Sequence, residues 1–162
     1  MSSFRAQQGE RGFTLAELII LIAVIGILSV MAVPAFLRYY QAATLKSGAQ
    51  QLVTLINQAR ELAIKENTKV CAKLPSATQM TYVLNSDNTC AGTGSWTGAG
   101  TDAAGNIRLP ANITATVGGT PAIFDYVGSA VTSPATYTLT NTQTSATLKV
   151  VVAASGRVTI TP

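Results

Sequence analysis

The sequence contains no histidine. That removes the commonest general base and the commonest metal ligand, and with them a Ser or Cys triad of the usual kind. Only two cysteines are present, too few for a zinc site without histidine to join them. Charge is scarce as well: 11% of residues are charged, 48% are hydrophobic, and mean hydropathy is +0.32. A chain of that composition is not disordered. Its formal net charge of +4 is too weak a surplus to announce a nucleic-acid binder. Gly98-Ala99-Gly100 and Gly118-Gly119 have no helix behind them to receive a phosphate, so they read as turns. Asp87, Asp102 and Asp125 are scattered and read as loop residues. Composition therefore points away from an enzyme, with no catalytic residue, metal or cofactor expected, and toward a structural or binding protein. A length of 162 residues suits one globular unit with an appendage.

What is abundant is apolar sequence, and it is unevenly placed. Leu18 to Val33 is a run of sixteen residues without charge, and Phe13 to Leu37 holds one charge, Glu17, in twenty-five. About 20 apolar residues at 1.5 Å rise span a bilayer core, so residues 13–37 are expected to form a membrane helix. The segment before it, MSSFRAQQGERG, is short and polar, and its Arg5 and Arg11 hold that end in the cytoplasm. A secretory signal would end its apolar stretch at a small-residue cleavage site, whereas here the helical pattern continues. Residues 1–12 are therefore expected to be a leader removed on the cytoplasmic side. Glu17 stands out, because a carboxylate in lipid costs about 2.5–3.5 kcal/mol on translocon scales unless it is paired or snorkels to the headgroups.

Gly12-Phe13-Thr14-Leu15-Ala16-Glu17 followed by the apolar run resembles the class III signal of type IV pilins and type II secretion pseudopilins. The resemblance implies that prepilin peptidase cuts between Gly12 and Phe13 and N-methylates Phe13, and that Glu17 serves filament assembly. It also implies that Gly26 and Pro34 bracket a stretch able to lose helical hydrogen bonds in filaments. Pro34 removes one backbone donor, and Gly26 weakens a helix by about 1 kcal/mol.

Beyond Pro34, Leu45, Ala49, Leu52, Ile56, Ala59 and Ala63 recur at three to four residue spacing, one apolar stripe of an amphipathic helix. Residues 38–67 form this half, ending near Asn67. Short runs rich in Thr, Val, Ile and Tyr follow: Thr68–Leu74, Gln79–Asn85, Asn112–Val117, Ala122–Val127, Thr136–Thr140, Thr147–Ala153 and Arg157–Thr161. No crossover helix separates them, so residues 68–162 are expected to be an antiparallel β domain facing the periplasm or the cell exterior. Ala154-Ser155-Gly156 reads as a hairpin turn, and Cys90–Gly105 as a long surface loop. The expected fold is α+β and pilin-like: a long N-terminal helix packed by its second half on antiparallel sheet.

The stretch Ala59-Arg60-Glu61-Leu62-Ala63-Ile64-Lys65-Glu66-Asn67-Thr68-Lys69-Val70-Cys71 resembles the helix-to-first-strand junction of the GspH/FimT family of minor pseudopilins and minor pilins. Cys90 and Trp96 fall where members often carry a Cys and a Trp. Mid-chain cysteines depart from major pilins, which place their disulfide loop near the C terminus. In an oxidising periplasm Cys71 and Cys90 are expected to form a disulfide worth roughly 3 kcal/mol. Trp96 is expected to plug the core rather than anchor a partner. The resemblance further implies prepilin peptidase, other pilin or pseudopilin subunits and the inner-membrane assembly platform as partners, with the inner membrane as the site before assembly. A minor subunit is the first reading and a main pilus subunit the second. A pilus-tip DNA receptor is a third, which Lys149, Arg157 and Arg108 would serve with two or three weak, salt-sensitive phosphate contacts. Solvated strand residues is the preferred reading of these three.

Overall fold

A computed structural model of the chain describes residues 12–92 and 94–162. Arg5 and Arg11 of the expected leader lie outside them. The order is one helix, α1 (Leu15–Lys65), then nine strands: β1 (Val70–Ser76), β2 (Gln79–Leu84), β3 (Gly94–Ser95), β4 (Asn106–Arg108), β5 (Ile113–Gly118), β6 (Ile123–Phe124), β7 (Ala135–Asn141), β8 (Thr147–Val152) and β9 (Val158–Thr161). The chain divides into two units between Tyr39 and Tyr40.

In the first unit every side chain described from Gly12 to Tyr39 is exposed. No single helix among the described residues is long and apolar enough to cross a membrane, whereas the limbs Leu15–Val30 and Ala32–Lys65, bent by 41° at their junction, qualify together. The bend falls just ahead of Pro34, within reach of the backbone bond that proline removes.

The second unit, Tyr40–Pro162, holds the core. All six residues of the apolar stripe, Leu45 to Ala63, are buried, joined by Leu55 and Leu62. The helix ends in a Schellman motif. Asn67 takes the left-handed conformation (φ 50°), the Asn67 N–H donates to the Ile64 carbonyl (3.4 Å), and the Thr68 N–H reaches back to Ala63 (3.1 Å).

The β-rich part forms two antiparallel sheets. One has the order β3-β2-β1-β6, with β4 also on β2; the other has the order β5-β7-β8-β9. Alternation fixes the register of the second sheet. Ala135, Tyr137, Leu139 and Asn141 of β7 point inward, between the intermediate Thr136, Thr138 and Thr140. Seven strands lie where hydrophobicity and β-propensity place them. Ala122–Val127 shrinks to the two residues of β6 because Asp125 turns the chain, its Oδ1 accepting from the N–H groups of Val127 (3.0 Å) and Ser129 (2.8 Å). β3 and β4 are the additions. β3 lies inside the expected surface loop and β4 just after it. Both are too short for a hydrophobic period, and both take their place from pairing with β2.

A buried phenol helps to join the two sheets, beside the Ala115 N–H bond to the Ala77 carbonyl (2.7 Å). The Tyr137 hydroxyl donates to the Ala72 carbonyl (2.7 Å) and accepts from the Ala122 N–H (2.8 Å), linking β7 to β1 and to the entry of β6. Tyr82 donates from β2 to the Leu55 carbonyl of α1 (2.9 Å). Burial pushes both phenols above their ordinary pKa.

Candidate functional site

The residues singled out in the sequence fall into separate places. Gly12, Phe13 and Thr14 precede the helix without regular structure, and Phe13 is 81% exposed. Thr14 is the N-cap: its Oγ1 accepts the Glu17 N–H at 3.2 Å. Thr14-Leu15-Ala16-Glu17 thus has the spacing of a capping box, a signal present in the sequence that explains where α1 begins. Glu17 lies in the first turn, where the N-terminal end of the helix dipole favours a carboxylate. The motif therefore does two jobs in one place. It starts the helix, and it leaves an exposed acid one turn from an uncoiled Gly12-Phe13 bond.

Farther along, Gly26 sits in continuous helix, and a Cβ added there would meet nothing within 4 Å. Nothing among the described residues requires glycine at that position. Ser29 donates to the Ile25 carbonyl (2.8 Å) and Arg38 Nε to the Pro34 carbonyl (3.4 Å), so both polar side chains fold back on the helix backbone.

Cys71 and Cys90 form a disulfide with Cα atoms 5.6 Å apart. It closes the β1–β2 hairpin onto the loop that follows. Asp87 organises that loop, accepting from Thr89 Oγ1 (2.8 Å), the Thr89 N–H (2.7 Å) and the Ala91 N–H (2.9 Å). These bonds, with that from the Thr89 hydroxyl the largest, hold the carboxyl below its usual range. Asp102 repeats the device: bonds from the Asn106 N–H (2.8 Å) and the Ala104 N–H (2.9 Å) help lower its pKa, the former most. Trp96 is half-buried, with its ring centroid 5.9 Å from that of Tyr82. It packs on the core from the loop side.

Lys149 and Arg157 are both exposed on the second sheet. Lys149 pairs with Thr161 at one end of β9, and Arg157 precedes Val158 at the other. At about 3.3 Å per residue, roughly 13 Å of strand separates them. Arg108 lies on β4 of the other sheet. Among the described residues no group of three or more His, Cys, Asp or Glu side chains converges.

Comparisons with known proteins agree with this geometry. Residues 7–33 match the family described as "Prokaryotic N-terminal methylation motif". Two Pseudomonas aeruginosa proteins described as "Fimbrial protein" are 37% identical over 73 residues; the chain spans about half (47%) of their length, by 44% of its own. The minor pseudopilin EpsH from the type 2 secretion system of Vibrio cholerae shares the fold at a TM-score of 0.53 and 14% identity, over 72% of this chain and 95% of that one. The type IV minor pilin FimU of Pseudomonas aeruginosa does so at 0.53 and 16%, over 76% and 92%. Residues 48–156, more than half of the chain, match the family described as "Type II transport protein GspH", and the chain belongs to that family, within the wider group of type IV pilins and pseudopilins.

Proposed function

We propose that the chain is a minor subunit of a type II secretion pseudopilus or type IV pilus. It inserts in the inner membrane with its N terminus in the cytoplasm. Prepilin peptidase cuts between Gly12 and Phe13 and methylates the new amine. The assembly platform then extracts the subunit into a filament. The observation that carries this reading is the exposure of the first unit: an apolar helix with no buried face, beginning at a capped acidic turn. Such a surface needs lipid before assembly and the helices of other subunits afterwards.

Glu17 then has a physical task. Cleavage creates a cationic amine at Phe13. In a filament core, a carboxylate and an amine from adjacent subunits neutralise each other. Leaving one partner unpaired there costs roughly 3–5 kcal/mol, which makes the pair a check on register more than a source of net stability. Gly26 and Pro34 fit the same task, since a helix that loosens between them adapts to its neighbours.

Intact mass and copy number in filaments sheared from native cells test the reading. The expected result is a mass cut before Phe13 and carrying one methyl group, at low copy relative to a main subunit. An uncleaved mass would overturn it, and high copy would make the chain the main subunit. Glu17→Ala is expected to reach the membrane yet fall at least about tenfold in filaments, as an unpaired core charge requires.

A further inference from the structure

Arg60 sits on the second half of α1, away from the N-terminal motif, and nothing in the proposed mechanism uses it. Its side chain lies in a cradle made by two turns. A Cβ at Gly128 would come within 2.9 Å of Arg60 Nε, and one at Gly156 within 3.2 Å. Both glycines have positive φ, 86° and 78°, and a Cβ on Gly156 would also collide with the Gly128 carbonyl oxygen. The turns thus press on the guanidinium and enclose it without offering it an acceptor. Nε is buried and has no hydrogen-bond partner. Among the described residues the one ion pair is Lys65–Glu66, so Arg60 makes none within the chain.

Yet the residue is only half-buried, and it lines a surface cleft of about 360 Å³ with Asn57, Glu61 and Ile64. Ile64 in that cleft is 50% exposed, and the Gly128 turn abuts its Cδ1 atom; the two residues that lead into that turn, Tyr126 (59%) and Val127 (65%), are exposed as well. A held guanidinium next to an exposed Tyr and two aliphatic side chains has the make-up of an interface anchor.

We propose that Arg60 takes the carboxylate of an Asp or Glu side chain on a neighbouring filament subunit, seated against Ile64, Tyr126 and Val127. The inference rests on the filament reading above. A partly desolvated guanidinium without a partner is a cost to the isolated chain, which a carboxylate bound end-on at its terminal nitrogens offsets. The cradle has already fixed the rotamer, so docking loses little side-chain entropy. A protein carboxylate suits the place better than a nucleic-acid phosphate: it arrives with apolar neighbours that can cover the exposed Ile64, on which a phosphate backbone would be wasted.

The test uses full-length Arg60→Lys and Arg60→Gln subunits expressed in native cells. Filaments bearing Arg60→Lys are treated with a water-soluble carbodiimide, which activates a carboxylate and departs as the urea when an amine forms the amide. The expected product joins position 60 to an Asp or Glu of another subunit. A link confined to Glu61 of the same chain, or none at position 60, overturns the proposal. Arg60→Gln is expected to melt no lower than the wild type in detergent, while falling on the order of tenfold in filaments. A lower melting point would make Arg60 a residue of the fold and sink the idea. So would normal incorporation with lost DNA retention, which would name phosphate as the ligand. Absence of the wild type itself from filaments would defeat the filament reading first; wild-type filaments without the cross-link defeat this inference alone.

Discussion

Two stretches of one helix obey different rules. From Leu15 to Tyr39 apolar residues surround α1, and none of the side chains described there is buried. From Leu45 to Ala63 they keep to one stripe, and the whole stripe is buried. The glycines make the contrast sharp. A Cβ at Gly26 would meet open space, whereas one at Gly48 would lie 3.2 Å from Ile113 Cγ1, where α1 comes close to β5. The first half is composed for surroundings outside the chain and the second for the chain's own sheets. An apolar residue in α1 thus says little until its neighbours around the helix are known.

The largest expected effect breaks or upholds that contrast directly. Ile56 is fully buried, and Ile56→Ala is expected to cost about 2–5 kcal/mol of unfolding free energy in the detergent-solubilised chain. Ile22 is 59% exposed, and the same truncation there is expected to stay within roughly 0.5 kcal/mol. Denaturant titrations of the two variants decide it. Similar midpoint shifts would mean that the two halves are not separate in their energetics.

The same contrast governs what was legible in the sequence. The stripe from Leu45 to Ala63, the Asn67 cap and the Ala154-Ser155-Gly156 hairpin follow local rules, and the structure holds each of them. Gly12 through Glu17 was legible as a motif, and the capping-box spacing of Thr14 and Glu17 was there to be read beside it. The split into two sheets was not legible. It depends on which strands pair over long range, as the bonds that join the sheets also do: the partners of Tyr137, Ala72 and Ala122, lie 65 and 15 residues away in sequence. β3 and β4 were hidden for a related reason, since a strand of two or three residues exists only through its partner. The setting of Arg60 was not legible either, because the turns that hold it come from Gly128 and Gly156, far along the chain.

A smaller effect sharpens the description of the second unit. Tyr137→Phe removes the acceptor of the Ala122 N–H and the donor to Ala72 in a fully buried place. A buried group left unsatisfied costs about 1–3 kcal/mol. Tyr82→Phe is expected to cost less, about 0.5–1.5 kcal/mol, because the Leu55 carbonyl it leaves is an ordinary helix carbonyl. If Tyr82→Phe proved the more damaging, the bond from helix to sheet and not the one between the sheets would be the stronger join.

The smallest effect is acid dependence, and it belongs to the loops of the second unit. Asp87 and Asp102 have carboxyls held below the ordinary value by hydrogen bonds that need the charged form. A group whose pKa is lower folded than unfolded stabilises the folded state above its unfolded value, about 3.9 for Asp, and loses that contribution as pH falls through the lower folded value. Both carboxylates are fully exposed, so solvent screens the effect and its reach is local. Amide exchange at Thr89, Ala91, Ala104 and Asn106, the N–H groups these carboxylates accept from, is expected to lose protection below about pH 4 relative to the intrinsic rate, with the β7–β8 amides unchanged. Asp87→Asn should remove the acid step at Thr89 and Ala91 and leave that at Ala104 and Asn106 intact. Loss of protection across the sheets at the same pH would show that the loops and the core open as one unit.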